Sequence, residues 1–249
     1  MIDASVSEQL RDALMREAGG FLANPIRQPN VTCEVCAAPI DDQYSVCAAC
    51  ISASRGAYGH ELADLVGSST YAKPQHQTGY MMHGYKATSP QQQHQTVVQL
   101  LLADALLTHR ECAEALGGVP ISAWASVPSL TKKRTSHPLR GLVTPMLTGT
   151  PEIEITATEK WTTQRQVTPT NFTIDAQPDG EHVLVVDDTW TTGAQSQSVA
   201  AGLKAAGASR VTIYTVARWL DENWPPTKAF LAARKKMVPK PKFDANVCP

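Results

Sequence analysis

The stretch Val183–Ser196 reads VLVVDDTWTTGAQS. An unbroken apolar run leads into two adjacent carboxylates, then small hydroxyl residues with a glycine, then residues able to open a helix. In an open α/β sheet such a strand delivers its loop to the carboxyl edge, where ligands bind. Thr191, Thr192 and Gly193 can turn tightly around a phosphate, offering backbone N–H groups and hydroxyls. A helix opening at Ala194 adds the positive end of its dipole. Asp187 and Asp188 then stand about one sugar away, and ionised carboxylates accept hydrogen bonds from vicinal hydroxyls. An acid pair at a strand end is by itself often a solvated loop; the apolar run before it and Thr-Thr-Gly after it make the pattern specific. Phosphate plus ribose is the ligand these residue types point to.

Two further groups carry chemistry. Cys33-x-x-Cys36 and Cys47-x-x-Cys50 have the spacing of two knuckles that bring four thiolates around one tetrahedral Zn²⁺. Four protein ligands leave no position for a catalytic water, so the zinc is expected to be structural; buried free thiols and a redox pair are the alternatives. Cys112 and Cys248 lie outside the cluster, and the His109/Cys112 pair, three residues apart on one helical face, reads as chance rather than as a second metal site. The loop Ser126–Gly141, SVPSLTKKRTSHPLRG, follows an expected strand. Its amides after Pro128, with Ser129, Lys132, Lys133 and Arg134, suit a pyrophosphate, and Arg140 and Gly141 could add contacts. A solvated basic loop is the plainer reading of Lys132 and Lys133.

The Asp-Asp…Thr-Thr-Gly order resembles the signature of the type I phosphoribosyltransferases, which bind phosphoribosyl pyrophosphate (PRPP). The resemblance implies that Asp187 and Asp188 hold the ribose hydroxyls and that Thr191, Thr192, Gly193 and Ala194 form the 5-phosphate loop. Where that family has Thr or Ser, this chain has Gln195, with Ser196 one place later. A zinc ribbon ahead of such a domain resembles the ComF family, named for a competence protein. Tyr85–Lys86 is similar to that family's pair after the zinc module, and Val127–Pro128 with Arg140–Gly141 is similar to its VP…RG stretch, with Leu142 in place of an aromatic. The likeness spans about residues 30 to 218. It implies Mg²⁺-assisted transfer at the ribose anomeric carbon with pyrophosphate release, to an acceptor left open. A PRPP or nucleotide sensor without turnover is an alternative. So is an accessory protein handling single-stranded nucleic acid through Arg234, Lys235, Lys236, Tyr44 and Tyr58, although a net charge of -1 counts against extended phosphate tracking.

The elements that must position these groups follow from periodicity. Helices are expected over residues 4 to 18, with Ser5 and Glu8 as a capping box, and over Gln92 to Leu116, closed by Gly117–Gly118. Shorter ones are expected over Leu139–Leu147, Ala194–Ala206 and Thr227–Met237. Strands are expected over Ile121–Val127, Ile153–Ala157, His182–Val186 and Val211–Val216. Alternation of this kind predicts an α/β fold, a type I phosphoribosyltransferase-like parallel sheet flanked by helices, with a small N-terminal four-Cys zinc module. The expected divisions are 1–30 (helix and linker), 31–55 (zinc module), 56–220 (phosphoribosyltransferase-like domain) and 221–249 (basic tail). Within 56 to 90 no element is assigned. At 249 residues, 43% hydrophobic and 18% charged, the chain is neither a globally basic nucleic-acid binder nor an acidic disordered one. Asp3, Glu8, Arg11, Asp12, Arg16 and Glu17 leave no apolar core for a secretory signal, and Val97–Leu107 is too short and too interrupted to span a bilayer. A cytoplasmic protein without a membrane partner is expected.

Overall fold

The computed structural model describes residues 3–57, 59–130, 137–159, 161–162, 165–237 and 242–249. Its centre is a four-stranded, all-parallel sheet. In chain order the strands are β1 (Leu65–Ala72), β2 (Ala123–Ser126), β5 (His182–Trp190) and β6 (Arg210–Trp219), lying side by side as β1-β6-β5-β2. Short β3 (Ile155–Ala157) and β4 (Phe172–Ile174) make a separate antiparallel pair. The apolar run of β5 explains its central place. Val183 and Val185 join one core with Ala123, Ala125, Val211 and Ile213, while Leu184 and Val186 join the other with Trp124, Tyr214 and Val216. Such a strand is buried on both faces, as parallel sheets require.

Helices cover both faces. On the Val183 side lies α7 (Ala194–Ala205), through Val199, Ala200 and Leu203. On the Leu184 side lie α1 (Ala4–Ala18), α3 (Gln77–Gly84) and α4 (Gln92–Ala103), through Leu14, Met81, Met82, Val98, Leu101 and Leu102. The remaining helices are α2 (Ala48–Gly56), α5 (Arg110–Gly117), α6 (Pro138–Val143) and α8 (Pro225–Met237). Among the described residues no helix is long and apolar enough to cross a membrane.

Several elements depart from the sequence reading for identifiable reasons. Helix α1 is capped by Asp3, whose carboxylate accepts from Ser5 N–H at 2.8 Å, because the helix begins before Ser5. The expected long helix from Gln92 breaks into α4, a π-helical turn at Asp104–Thr108, and α5. The Thr108 hydroxyl donates back to the Asp104 carbonyl at 2.5 Å, a back-bond that loosens the regular ladder. Gly118 closes α5 in the left-handed region, at φ 76°. Strand β1 lies in the stretch the sequence leaves blank. Its polar residues are buried and satisfied across the sheet, Ser68 with Thr215 at 2.6 Å and Ser69 with the Tyr214 hydroxyl at 2.8 Å.

Strand β5 runs past Val186 to Trp190, because β6 continues beside it and pairs Asp187 with Thr215, Thr189 with Ala217 and Trp190 with Arg218. The chain end returns to the body. Phe243 and Ala245 are buried in the core of α1 and α4, and Cys112 and Cys248 form a disulfide. Arg234 is buried too, its guanidinium donating to the Asn24 and Lys242 carbonyls and stacking 5.5 Å from the Tyr71 ring. It is therefore a fold residue and not part of a solvent-facing basic stripe, while Lys235 and Lys236 remain exposed.

Candidate functional site

Adjacent residues of a strand face opposite sides of its sheet, so placing Asp187 and Asp188 on β5 separates their environments. Asp187 turns toward α7, where the Ser196 hydroxyl donates to its Oδ2 at 2.6 Å and the Asp188 N–H to its Oδ1 at 2.7 Å. Asp188 turns toward the end of α3. The Tyr85 hydroxyl donates to its Oδ2 at 2.7 Å, and the Lys86 ammonium reaches the same oxygen. Both carboxylates still border one cavity of about 310 Å³, because the strand ends there and the wall closes around its tip.

Their electrostatics differ accordingly. Removal from water and the nearby Asp188 charge push the Asp187 carboxyl up to about 7, against the two hydrogen bonds that favour its ionised form. Burial acts on Asp188 in the same direction, but the Lys86 ammonium, the Tyr85 hydroxyl and His137 outweigh it and hold that carboxyl below the usual range. Asp188 is the standing anion of the pair, and Asp187 sits poised near neutrality.

The turn after β5 forms the far wall. Thr191, Thr192, Gly193, Ala194, Gln195 and Ser196 all line the cavity. Gly193 precedes α7 at φ 78°, and a Cβ there would stand 2.1 Å from the Trp190 ring. No side chain fits beside that ring, and the first turn of α7 borders the hollow, a position where an anion is favoured. The hydroxyl that comes one place late in the sequence, Ser196, is the one bonded to Asp187. Gly193→Ala is expected to cost about 2–4 kcal/mol, backbone strain plus a ring clash. Gly118→Ala has a similar φ of 76° with nothing within 4 Å, and should cost only about 1 kcal/mol. Urea unfolding of the two variants checks this, and equal losses would remove the role given to Trp190.

Opposite this turn stand Val127, Pro128 and Ser129, together with Lys86, His137 and Arg165. Ser129 thus borders the same cavity as the two acids. Lys132, Lys133 and Arg134 fall outside the described residues. Arg140 is not in the wall: its guanidinium makes a two-pronged pair with Glu152 at 2.7 and 3.0 Å. Gly141 is exposed and absent from the wall. Lys86 was visible only as half of the Tyr85–Lys86 resemblance, and His137 and Arg165 carry no local signal. His137 reaches the site because its ring accepts from Leu139 N–H at 3.2 Å and starts α6. Of the rings in 56 to 90, Tyr71 and Tyr85 are buried and Tyr80 is exposed.

The four cysteines come together. All four sulfurs lie within 4.8 Å of one another, with Cys36 and Cys47 3.7 Å apart. The first pair sits on a knuckle in which Cys33 N–H donates to the Ala38 carbonyl at 2.7 Å and Ala37 takes φ 55°. Cys47 caps α2, and Cys50 lies in its first turn. Cys33, Cys36 and Cys50 are buried, so this donor set suits a closed structural ion such as Zn²⁺. The cluster is joined to the turn after β5 by Arg218. Its Nε donates to the Cys36 carbonyl at 3.1 Å, and its NH1 to the Trp190 and Thr191 carbonyls at 2.9 and 3.2 Å.

No protein-family model matches this chain, and no curated protein matches it. The fold and site define an α/β protein whose four-stranded parallel sheet is flanked by helices and carries a four-Cys cluster beside a polar cavity.

Proposed function

We propose that the chain binds PRPP through a type I phosphoribosyltransferase-like domain and transfers its phosphoribosyl group to an acceptor, releasing pyrophosphate. The observation that carries this reading is one cavity bordered by Asp187, Asp188, the first turn of α7, and the Ser129 loop with Lys86 and His137. Carboxylates, helix amides and cations side by side match a ligand with a diol between two phosphate ends. Asp187 and Asp188 take the ribose hydroxyls. Thr191, Thr192, Gly193 and Ala194 take the 5-phosphate. Ser129 and the amides after Pro128 take the pyrophosphate, with Lys132, Lys133 and Arg134 reading as its further cationic partners.

The chemistry asks little covalent work of the side chains. The bond from the anomeric carbon to pyrophosphate breaks, the acceptor's lone pair forms the new bond, and the acceptor's proton passes to solvent. The chain contributes alignment and fixed charge around a cationic sugar. The carboxylate oxygens of the two acids are hard donors of the kind Mg²⁺ takes alongside substrate oxygens, and the ion supplies countercharge to the leaving group. The paired Lys86 gives a specific expectation. Asp188→Asn removes a charge-assisted bond to the diol worth roughly 1.5–3 kcal/mol, so PRPP affinity in Mg²⁺ should fall about tenfold or more. Affinity for inorganic phosphate, which has no diol, should hold or rise as Lys86 is released. Isothermal titration of both ligands tests this; unchanged PRPP affinity removes the assignment. Pyrophosphate release on adding nucleobases separates an enzyme from a binding protein.

A further inference from the structure

The His109/Cys112 pair acquires a third member from the far end of the chain. Cys248 lies 136 residues from Cys112 in sequence, and the returning tail brings it to the same corner. The ligand atoms of His109, Cys112 and Cys248 all lie within 4.8 Å of one another. His109 is buried, and its two ring nitrogens have distinct surroundings. Nε2 is 2.9 Å from the Ala245 carbonyl and 3.7 Å from an Asp104 carboxylate oxygen, both acceptors, so the network puts the proton there. Nδ1 then carries the lone pair, and it faces the Cys112 sulfur at 3.8 Å. An imidazole whose outer N–H is held by a carbonyl and a carboxylate, with its inner nitrogen turned toward sulfur, has the orientation of a metal-bound histidine.

We propose that His109 Nδ1, Cys112 Sγ and Cys248 Sγ form a second metal site, for Zn²⁺, occupied when the two sulfurs are reduced. One imidazole and two thiolates are donors Zn²⁺ takes readily. Unlike the four-Cys cluster, this set leaves a fourth position, and it opens on a cavity of about 430 Å³ whose wall includes all three ligands with Arg110, Leu116 and Pro249. Metal and disulfide exclude each other, because a disulfide offers no thiolate. Two equivalents of a small thiol break the S–S bond, leave one proton on each protein sulfur, and depart as their own disulfide. Zinc then displaces those two protons. Asn246, Val247 and Cys248 are exposed, so the sulfurs can part to ligand spacing through this short stretch alone, with Phe243 and Ala245 still buried. The inference does not depend on the PRPP reading.

The test is metal content of the full chain after loading with zinc alone and removing the excess. With the disulfide intact one zinc per chain is expected, at the four-Cys cluster. After reduction with a phosphine, two are expected in the wild type and one in Cys248→Ser, whose altered residue is exposed and leaves the core untouched. Cobalt loading of the same proteins should show a second set of thiolate charge-transfer bands that Cys248→Ser lacks. Equal zinc in reduced wild type and Cys248→Ser, whether one ion or two, overturns the proposal.

Discussion

Replacing Cys36 by Ser is expected to leave the disulfide-intact chain without zinc and to remove most of its stability. A three-thiolate remnant loses the closed tetrahedral cage, and metal binding in such modules is inseparable from their folding. The loss would not stay local. Cys33, Cys36 and Cys50 pack in the same core as Val183, Val185, Val211 and Ile213, so an uncaged knuckle opens the face of the sheet that α7 covers. Typical domains have only about 5–15 kcal/mol in total, and several kcal/mol lost here approaches that whole. Arg218 extends the effect to the ligand. Its buried guanidinium spans the Cys36 carbonyl and the carbonyls of Trp190 and Thr191, so a displaced knuckle releases the turn proposed to hold the 5-phosphate. Zinc content, urea unfolding and PRPP titration should therefore fail together, and a chelator should reproduce all three in the wild type. A Cys36→Ser chain that unfolds at the wild-type urea concentration would show that the cluster is not structural.

What the sequence made legible was what depends on neighbours in the chain. The four-Cys spacing and the order from Val183 to Ser196 are local patterns: the four sulfurs come together, and the second stretch folds as strand, turn and helix. Strand β1 escaped because Ser68, Ser69 and Thr70 give no apolar alternation; their hydroxyls are satisfied by Thr215, Tyr214 and Ala23 only once the sheet exists. The extension of β5 through two carboxylates runs against local preference and is set by its partner strand. Strand β4 is too short to show a period, whereas β3 is the end of the strand expected over Ile153–Ala157. Lys86, His137 and Arg165 reach the cavity from separate segments, and no spacing rule links them to Asp188. The Cys112–Cys248 bond is invisible for the same reason: its partners meet only through the docking of Phe243 and Ala245.

Asp187→Asn is expected to make the ligand-free protein more stable while weakening its binding of PRPP. The sign follows from where its proton sits. In the unfolded chain this carboxyl titrates at about its ordinary 3.8, and in the fold at about 7. Between those values the native state holds a proton that the unfolded state has lost, so raising the pH draws stability out of the fold and the loss is complete above 7. Asn carries no charge and has no such loss. Its amide can keep both local bonds, accepting from Asp188 N–H and donating to a Ser196 hydroxyl that rotates to receive it. Part of Asp187 faces the cavity, which softens the penalty, so the gain at pH 8 is set at about 1–3 kcal/mol. For a chain of this size that is a rise of several degrees in Tm at roughly 2–4 °C per kcal/mol. The difference should shrink as the pH falls and vanish near the ordinary value of 3.8. Under the proposed function the same substitution removes an acceptor from the diol, so PRPP affinity should drop by about tenfold or more even as Tm climbs. A destabilised site kept for its ligand predicts that opposition. If Tm at pH 8 is unchanged or lower in the variant, Asp187 is an ordinary structural carboxylate; if PRPP affinity is unchanged, it does not hold the sugar.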